Sequence, residues 1–299
     1  EFHQTKLRLF TNFSHELRTP LTLIIAPLQE LMQMADFSAG VKNKLSLIFS
    51  NAQRLLLLVN QLMDLRKNQD GKMQLRLTKS NIRSFMLEIC CAFNQIAMNK
   101  NINFVFDRNE ERLSVWFDKS LFEKVVFNLL SNAFKFTNSG GEVSLDLKAI
   151  SYGELPFWQQ EKLGELPADT NMMRLLVTDT GKGIPMDEIK NIFTPFYQVG
   201  VSKENNVGTG IGLSLTQSIV SLHHGIIEVT SNEPHGTIFE VIIPVSKGVY
   251  DESCFAAEEE ERIVEDVIPP TAKLPLMNAE KKWTVLLAED NNEVRNYVK

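Results

Sequence analysis

From residue 10 onward the apolar positions fall at Phe10, Phe13, Leu17, Leu21, Ile24, Leu28 and Leu31, in steps of three and four. That spacing draws one stripe along a long amphipathic helix. A second run, Val41, Leu45, Ile48, Ala52, Leu55, Val59 and Leu62, keeps a seven-residue repeat, and "ADFSAG" between the runs supplies a turn with Gly40. The pattern predicts a helical hairpin over residues 1–70. Two helices with one broad stripe each cannot bury it fully, and Phe49, Leu56 and Met63 widen the second stripe. Pairing two hairpins into a four-helix bundle solves this, so a homodimer is expected.

After "LRKNQDGK" (65–72) the period changes. Residues 73–79 alternate as a strand does, and 81–99 read as a helix carrying Phe85, Ile89, Ala92, Phe93 and Ile96. Strands are predicted over 102–107 and 113–118, a long helix over 119–136, and a strand over 142–149. A further strand leads into "DTGKGIP", a short helix lies near 186–192, and "GTGIGL" opens another helix. Strands near 226–231 and 237–243 close a domain that spans 71–247. Strands and helices mix without regular βαβ alternation, which favours an α+β sandwich over a doubly wound sheet. Residues 151–171, with two prolines, two glycines and no sustained period, read as an insertion between neighbouring strands that Phe157 and Trp158 pin to the surface. Residues 248–282 turn acidic and irregular and read as an exposed linker. "WTVLLAEDNNEVRNYV" then reads as a buried strand ending in two acids, followed by a helix start.

Several polar positions need a reason. At about 100° per residue, His15 points away from the stripe, with Thr19 one turn above it and Glu16 one step round. Pro20 removes a helix hydrogen bond and bends the chain just after the histidine. A costly kink beside an exposed His–Glu pair points to a site reached from outside. Asn128 and Asn132 are four apart, so both amides leave one face of their helix, and Lys135 lies further along it. Neutral carbonyl oxygens with a lysine suit a hydrated Mg²⁺ bridging phosphates. Asp179 ends a strand before a glycine loop, where a carboxylate can accept from an exocyclic amine while Gly181 and Gly183 admit a flat ring. Gly208, Gly210 and Gly212 open a helix, turning free N–H groups and the helix dipole toward phosphate. Their spacing does not match the dinucleotide fingerprint, and no Walker lysine follows them.

Composition narrows the field only a little. The net charge of −6 over 299 residues argues against general affinity for nucleic acid or anionic membrane. Cys90, Cys91 and Cys254 form neither a disulfide framework nor a metal set, which fits a reducing, cytoplasmic compartment. The chain starts at Glu1 rather than methionine and reads as a piece of a longer protein, in which membrane contact would come only through segments upstream of it.

"FSHELRTPLT" (13–22) resembles the H-box of sensor histidine kinases, in which the histidine is the phosphoacceptor. "NLLSNAFKFT" resembles the N-box of the histidine-kinase catalytic domain with its Bergerat-type ATP site, "DTGKGIP" the G1 box, "FTPFYQ" (193–198) the F-box and "GTGIGL" the G2 box. "HGTIFEVIIP" (235–244) resembles the final glycine-threonine strand. Residues 283–299 resemble the start of a response-regulator receiver domain, with Glu289 and Asp290 as its acid pair. The resemblance implies ATP and Mg²⁺ as cofactors, with Asn132 as metal ligand and Asn128 and Lys135 near the phosphates. It implies that Phe136 covers the base, Asp179 holds the adenine amine and Thr237 supports the adenine end. Gly181, Gly183, Gly208, Gly210 and Gly212 would shape the pocket, and 194–207 would be a mobile lid. His15 would accept the phosphoryl group with Glu16 orienting its ring, Thr19 would serve dephosphorylation of a receiver, and a receiver domain would be the partner. The implied parent is a hybrid sensor kinase, this chain being the cytoplasmic portion of a bacterial inner-membrane sensor. Two rivals stand beside that reading: an ATPase that uses hydrolysis as a conformational clamp, and an inactive nucleotide-binding scaffold.

Overall fold

A computed structural model describes residues 2–33, 37–106, 113–199, 209–231 and 236–256, apart from the side chains of 2–16, 33, 39 and 69. The chain divides into two units at Asn60 and Gln61.

The first unit is a helical hairpin. Helix α1 (Phe2–Gln33) runs through Pro20 and Pro27, and α2 (Ala39–Gln69) follows. The Arg18 guanidinium donates to the Asn60 side-chain oxygen at 3.0 Å and ties the two helices together. The predicted stripe divides by heptad position. Leu21, Leu28, Leu45, Ala52 and Val59 are partly or fully buried, whereas Leu17, Ile24, Val41, Ile48 and Leu55 stay 40–52% exposed. Leu31 and Leu62, which continue the exposed rows, are partly buried, so the outward rows run over 17–24 and 41–55.

In the second unit, Asn81 caps α3 (Ile82–Lys100) by accepting from the Arg83 N–H, and Asn101 ends it in the left-handed conformation at φ 54°. Asp118 caps α4 (Lys119–Phe136): its Oδ1 accepts from Leu121 N–H at 3.0 Å and its Oδ2 from Arg76 N–H at 2.8 Å. Both caps satisfy amides that a helix start leaves without partners. Strand β1 (Thr78–Asn81) pairs antiparallel with β3 (Ser114–Phe117). The larger sheet has five strands, β2 (Asn103–Phe106), β4 (Glu142–Ser151), β5 (Asn171–Asp179), β6 (Ile226–Ser231) and β7 (Thr237–Pro244), in the order β2-β4-β5-β7-β6. Among the described residues of this sheet, only the β2–β4 pair is parallel. One face packs Met173, Leu175, Val177, Val241 and Ile243 against α3, α4 and α6 (Gly212–Leu222) in a single apolar core. This is the α+β sandwich expected from the order of elements.

The opposite face carries Met172, Arg174, Glu240 and Ile242, as alternation along the strands requires. Glu228 and Glu240 lie directly opposite across β6 and β7. Residues 152–170, between the paired strands β4 and β5, fold over this face and include a short helix, α5 (Phe157–Leu163). The buried Gln159 amide donates to both carboxylates, at 3.2 and 3.0 Å, while Lys162 pairs with Glu228 at 2.6 Å and Arg174 with Glu240. Tyr152 and Leu155 pack with Met172 and Ile242, and the Tyr152 hydroxyl donates to Gly164 O at 2.7 Å. The expectation that Phe157 and Trp158 pin this segment is corrected: they are 80% and 49% exposed. The inward positions of so short a helix belong to Gln159 and Leu163.

Three further expectations change. The strand read over 73–79 begins only at Thr78; before it, Met73, Leu75 and Leu77 are buried without a ladder, apart from one bridge from Leu77 to Phe255. The helix expected near 186–192 is a series of i→i+3 turns, Glu188 to Pro185, Asn191 to Glu188 and Thr194 to Asn191. Residues 248–256, read as exposed linker, are packed: Tyr250 is buried, and Phe255 meets Trp116 edge-on at 5.0 Å. Leu77 N–H donates to Cys254 O at 2.8 Å and Ala256 N–H to Leu77 O at 3.1 Å, so this segment is laced to the stretch that follows α2. Two aromatic side chains outweigh the acidic composition around them. The receiver-like residues 283–299, with Glu289 and Asp290, lie outside the described residues.

Candidate nucleotide and phosphoacceptor site

The candidate nucleotide site gathers where β5 ends, α4 ends and α6 begins. Asp179, the last residue of β5, is buried. Its Oδ1 accepts from Gly181 N–H at 2.8 Å, and the Thr237 N–H donates to the same carboxylate. Burial pushes its pKa up, against the pull of those two amides. A buried carboxylate with lone pairs to spare is suited to accept from a ligand's amine.

The glycine at 181 is forced by a close approach: a Cβ there would lie 2.6 Å from Phe136 O and 2.7 Å from Asp179 Oδ1. The end of α4 is thereby pressed onto the loop after β5. Phe136 is 39% exposed, with the ammonium groups of Lys135 and Lys182 4.5 and 5.2 Å from its ring centroid. A partly bare aromatic ring between two cations offers a face for a base and charge for phosphate.

Asn128 and Asn132 are both half-buried on α4. The Asn128 amide donates to Thr216 Oγ1 on α6 at 2.9 Å, and its Oδ1 lies so close to Gly212 that a Cβ there would sit 2.1 Å away. Asn128 therefore holds the first turn of α6 against α4. That turn starts at Gly212, and Thr209 Oγ1 accepts from Ile211 N–H at 3.1 Å while donating to Gln61 Oε1 at 2.9 Å. Gly183 and Gly210 occupy positive φ, 73° and 69°. Gly210 O accepts from Phe196 N–H at 2.8 Å, and Phe196 itself sits at φ 68°, an unusual conformation for a bulky residue. Gly208 and most of the expected lid lie outside the described residues.

Thr237 is buried opposite Ser231 at the paired ends of β7 and β6. Ser231 was missed by the sequence reasoning. Its hydroxyl accepts from Ile184 N–H at 2.7 Å, donates to Gly236 O at 2.9 Å and lies 3.2 Å from Thr237 Oγ1. The available signal was its place one hairpin before the glycine-threonine pair.

His15 and Glu16 lie within α1, and their side chains are among those outside the described set. Thr19, one turn on in α1, is half-buried. The structure thus brings Asp179, Gly181, Phe136 and Thr237 into one set of contacts and Asn128 and Gly212 into a second, with Phe136 and Asn128 both on α4.

Comparison with known proteins gives this arrangement its context. Residues 5–71 match the family described as "His Kinase A (phospho-acceptor) domain", and residues 117–247 match "Histidine kinase-, DNA gyrase B-, and HSP90-like ATPase". "Histidine kinase P4" of Formosa agariphila is 33% identical over 100% of this chain and 22% of its own length. "Hybrid signal transduction histidine kinase D" of Dictyostelium discoideum is 33% identical over 82% of this chain and 15% of its own. The chain thus spans about a fifth of the length of these relatives. Among solved structures, full-length ShkA in complex with AMPPNP aligns with a TM-score of 0.62 at 22% identity, over 80% of this chain and 46% of that one, a likeness of fold. With a phosphoacceptor domain spanning His15 and an ATPase domain spanning Asn132, Asp179 and Thr237, the chain belongs to the histidine kinase family.

Proposed function

We propose that this chain is the core of a hybrid sensor kinase that phosphorylates its own His15 from ATP and passes the phosphoryl group to a receiver aspartate. The observation that carries the reading is the union in one chain of an H-box helix with a buried-carboxylate, glycine-cradled pocket.

The residues fit the groups the reaction needs. Asp179 accepts from the adenine amine, Phe136 lies along the base, and Thr237 supports its far end. The first turn of α6, fixed by Asn128, turns its N–H groups to the polyphosphate, and Lys135 adds positive charge. Asn132 would supply an amide oxygen to Mg²⁺, and the ion would offset the charge of the phosphates. A His15 ring nitrogen attacks the γ-phosphorus in line, the bond to the ADP oxygen breaks, and Glu16 accepts the proton from the other nitrogen. The phosphoramidate then gives its phosphoryl group to the carboxylate of a receiver. Thr19 carries a hydroxyl that both donates and accepts, as alignment of a water against the receiver's acyl phosphate requires.

The outward row of Leu17, Ile24, Val41, Ile48 and Leu55 supports a homodimer, because a second hairpin would cover it. Among the described residues no helix is long and apolar enough to cross a membrane.

Incubation with γ-labelled ATP tests the proposal against both rivals. A kinase acquires acid-labile, base-stable label. An ATPase clamp releases phosphate without labelling, and a scaffold does neither. With a receiver supplied in trans, Thr19→Ala should slow receiver dephosphorylation at least tenfold while autophosphorylation stays within about twofold. Equal loss of both activities would assign Thr19 a structural role.

A further inference from the structure

From Gln61 onward the last turns of α2 belong with the second unit. Gln61 and Asp64, one helical turn apart, share a face of that helix. Asp64 pairs with Lys124 of α4 at 2.6 Å, one turn before Asn128, which holds the first turn of α6. Gln61 Oε1 accepts from the Thr209 hydroxyl at 2.9 Å, and Thr209 Oγ1 accepts from Ile211 N–H at 3.1 Å. A threonine hydroxyl has one proton, and here it is spent on Gln61. Two donors at the start of α6 are therefore already engaged, the Ile211 amide and the Thr209 hydroxyl. Both are groups on which an anion at a helix start would draw.

We infer that Gln61 is a positioning residue that restrains nucleotide binding: by holding the Thr209 proton it withholds two hydrogen-bond donors from the polyphosphate and ties the start of α6 to the end of α2. The inference rests on the reading that the first turn of α6 meets the polyphosphate. For a phosphate to draw on these donors, Thr209 must turn about its Cα–Cβ bond and leave Gln61. Binding then costs one hydrogen bond and removes one of the two ties on this face of α2, leaving the Asp64–Lys124 pair. The linkage is reciprocal: whatever draws Gln61 away from Thr209 raises nucleotide affinity, and nucleotide binding loosens the end of α2 by the same factor. Asn60, the neighbour of Gln61 in α2, accepts from Arg18 of α1, the helix that carries His15. Consecutive residues of α2 thus bond the phosphoacceptor helix and the nucleotide site.

Calorimetric titration with ADP tests the restraint, since a gain in affinity cannot come from a variant that misfolds. Gln61→Ala frees the Thr209 proton and should lower the ADP dissociation constant about three- to tenfold. Gln61→Leu, of similar bulk and without an acceptor, should do the same. Gln61→Glu, whose carboxylate can only accept, keeps the proton engaged and should bind ADP no more tightly than wild type. Thr209→Val lacks the hydroxyl, so adding Gln61→Ala to it should change the affinity by less than about twofold. Thermal unfolding of each variant checks that it is folded. An ADP affinity unchanged or weakened in folded Gln61→Ala and Gln61→Leu would overturn the role of Gln61 and leave the site standing. So would a gain of equal size in the Thr209→Val background. Failure of the wild-type chain to bind ADP would overturn the site reading and the inference with it.

Discussion

At the scale of single residues, the site is built from polar groups placed where burial makes them costly. Asp179 is the plainest case. Its carboxyl titrates near 3.8 in the unfolded chain, and burial raises that value in the fold. Between the two pKa values the folded state holds a proton that the unfolded state has lost. Stability therefore falls as pH rises through that window, and above it the fold carries the cost of a buried charge. Asp179→Asn should make the ligand-free protein more stable than wild type to urea at pH 7, with the difference closing as pH falls below about 3.8. The same variant should lose most of its ATP affinity, because an amide nitrogen would face the adenine amine. A variant less stable than wild type at pH 7 would mean that the carboxylate is held by more than its two backbone amides. His223 is a buried polar residue with no part in the site. Burial keeps it neutral, its Nδ1 donating to Ile219 O at 2.8 Å and its Nε2 accepting from Asp118 N–H at 3.3 Å. It locks the end of α6 to the start of α4.

At the scale of elements, close approaches replace side chains as the source of order. The first turn of α6 rests on Asn128, whose amide is already committed to Thr216. Gly212→Ala would drive a methyl group into that amide, at a cost of about 1–3 kcal/mol. Chemical denaturation should show the loss, and ATP affinity should fall with it because the N–H groups of the turn move. The hairpin makes a different demand. Ile24 and Leu55 are 47% and 52% exposed in one chain and would be covered in a dimer. Ile24→Glu with Leu55→Glu would bury like charges, at a cost on the order of several kcal/mol. Sedimentation should show a monomer, and a persisting dimer would place the interface elsewhere.

These elements also show what the sequence made legible. Helices α3 and α4 were readable nearly to the residue, because their periodicity is long and Asn81 and Asp118 mark their starts. Asp179 and the glycines at 181, 210 and 212 stand out in the sequence because their types are constrained locally, by a strand end, by close approaches or by positive φ. Ser231 was not, since its role arises from partners 47, 5 and 6 residues away, brought together by the sheet. The packing of 248–256 escaped for the same reason: Phe255 and Tyr250 bury against Trp116 and the end of α6, which no local pattern announces. The short helix α5 was hidden because its inward residues include a glutamine, whose value lies in the two glutamates beneath it.

At the scale of the whole molecule, a phosphoacceptor hairpin and an ATPase fold lie in one chain, and each is of limited use alone. The hairpin offers a histidine without a phosphoryl donor, and the sandwich offers a nucleotide pocket without an evident acceptor. Joining them predicts self-phosphorylation. It is tested most directly by comparing wild type with His15→Gln after incubation with Mg²⁺ and γ-labelled ATP, and by measuring ADP affinity in both. The wild type should carry acid-labile label and His15→Gln none, with ADP affinities within about twofold of each other. Undiminished label on His15→Gln would contradict it.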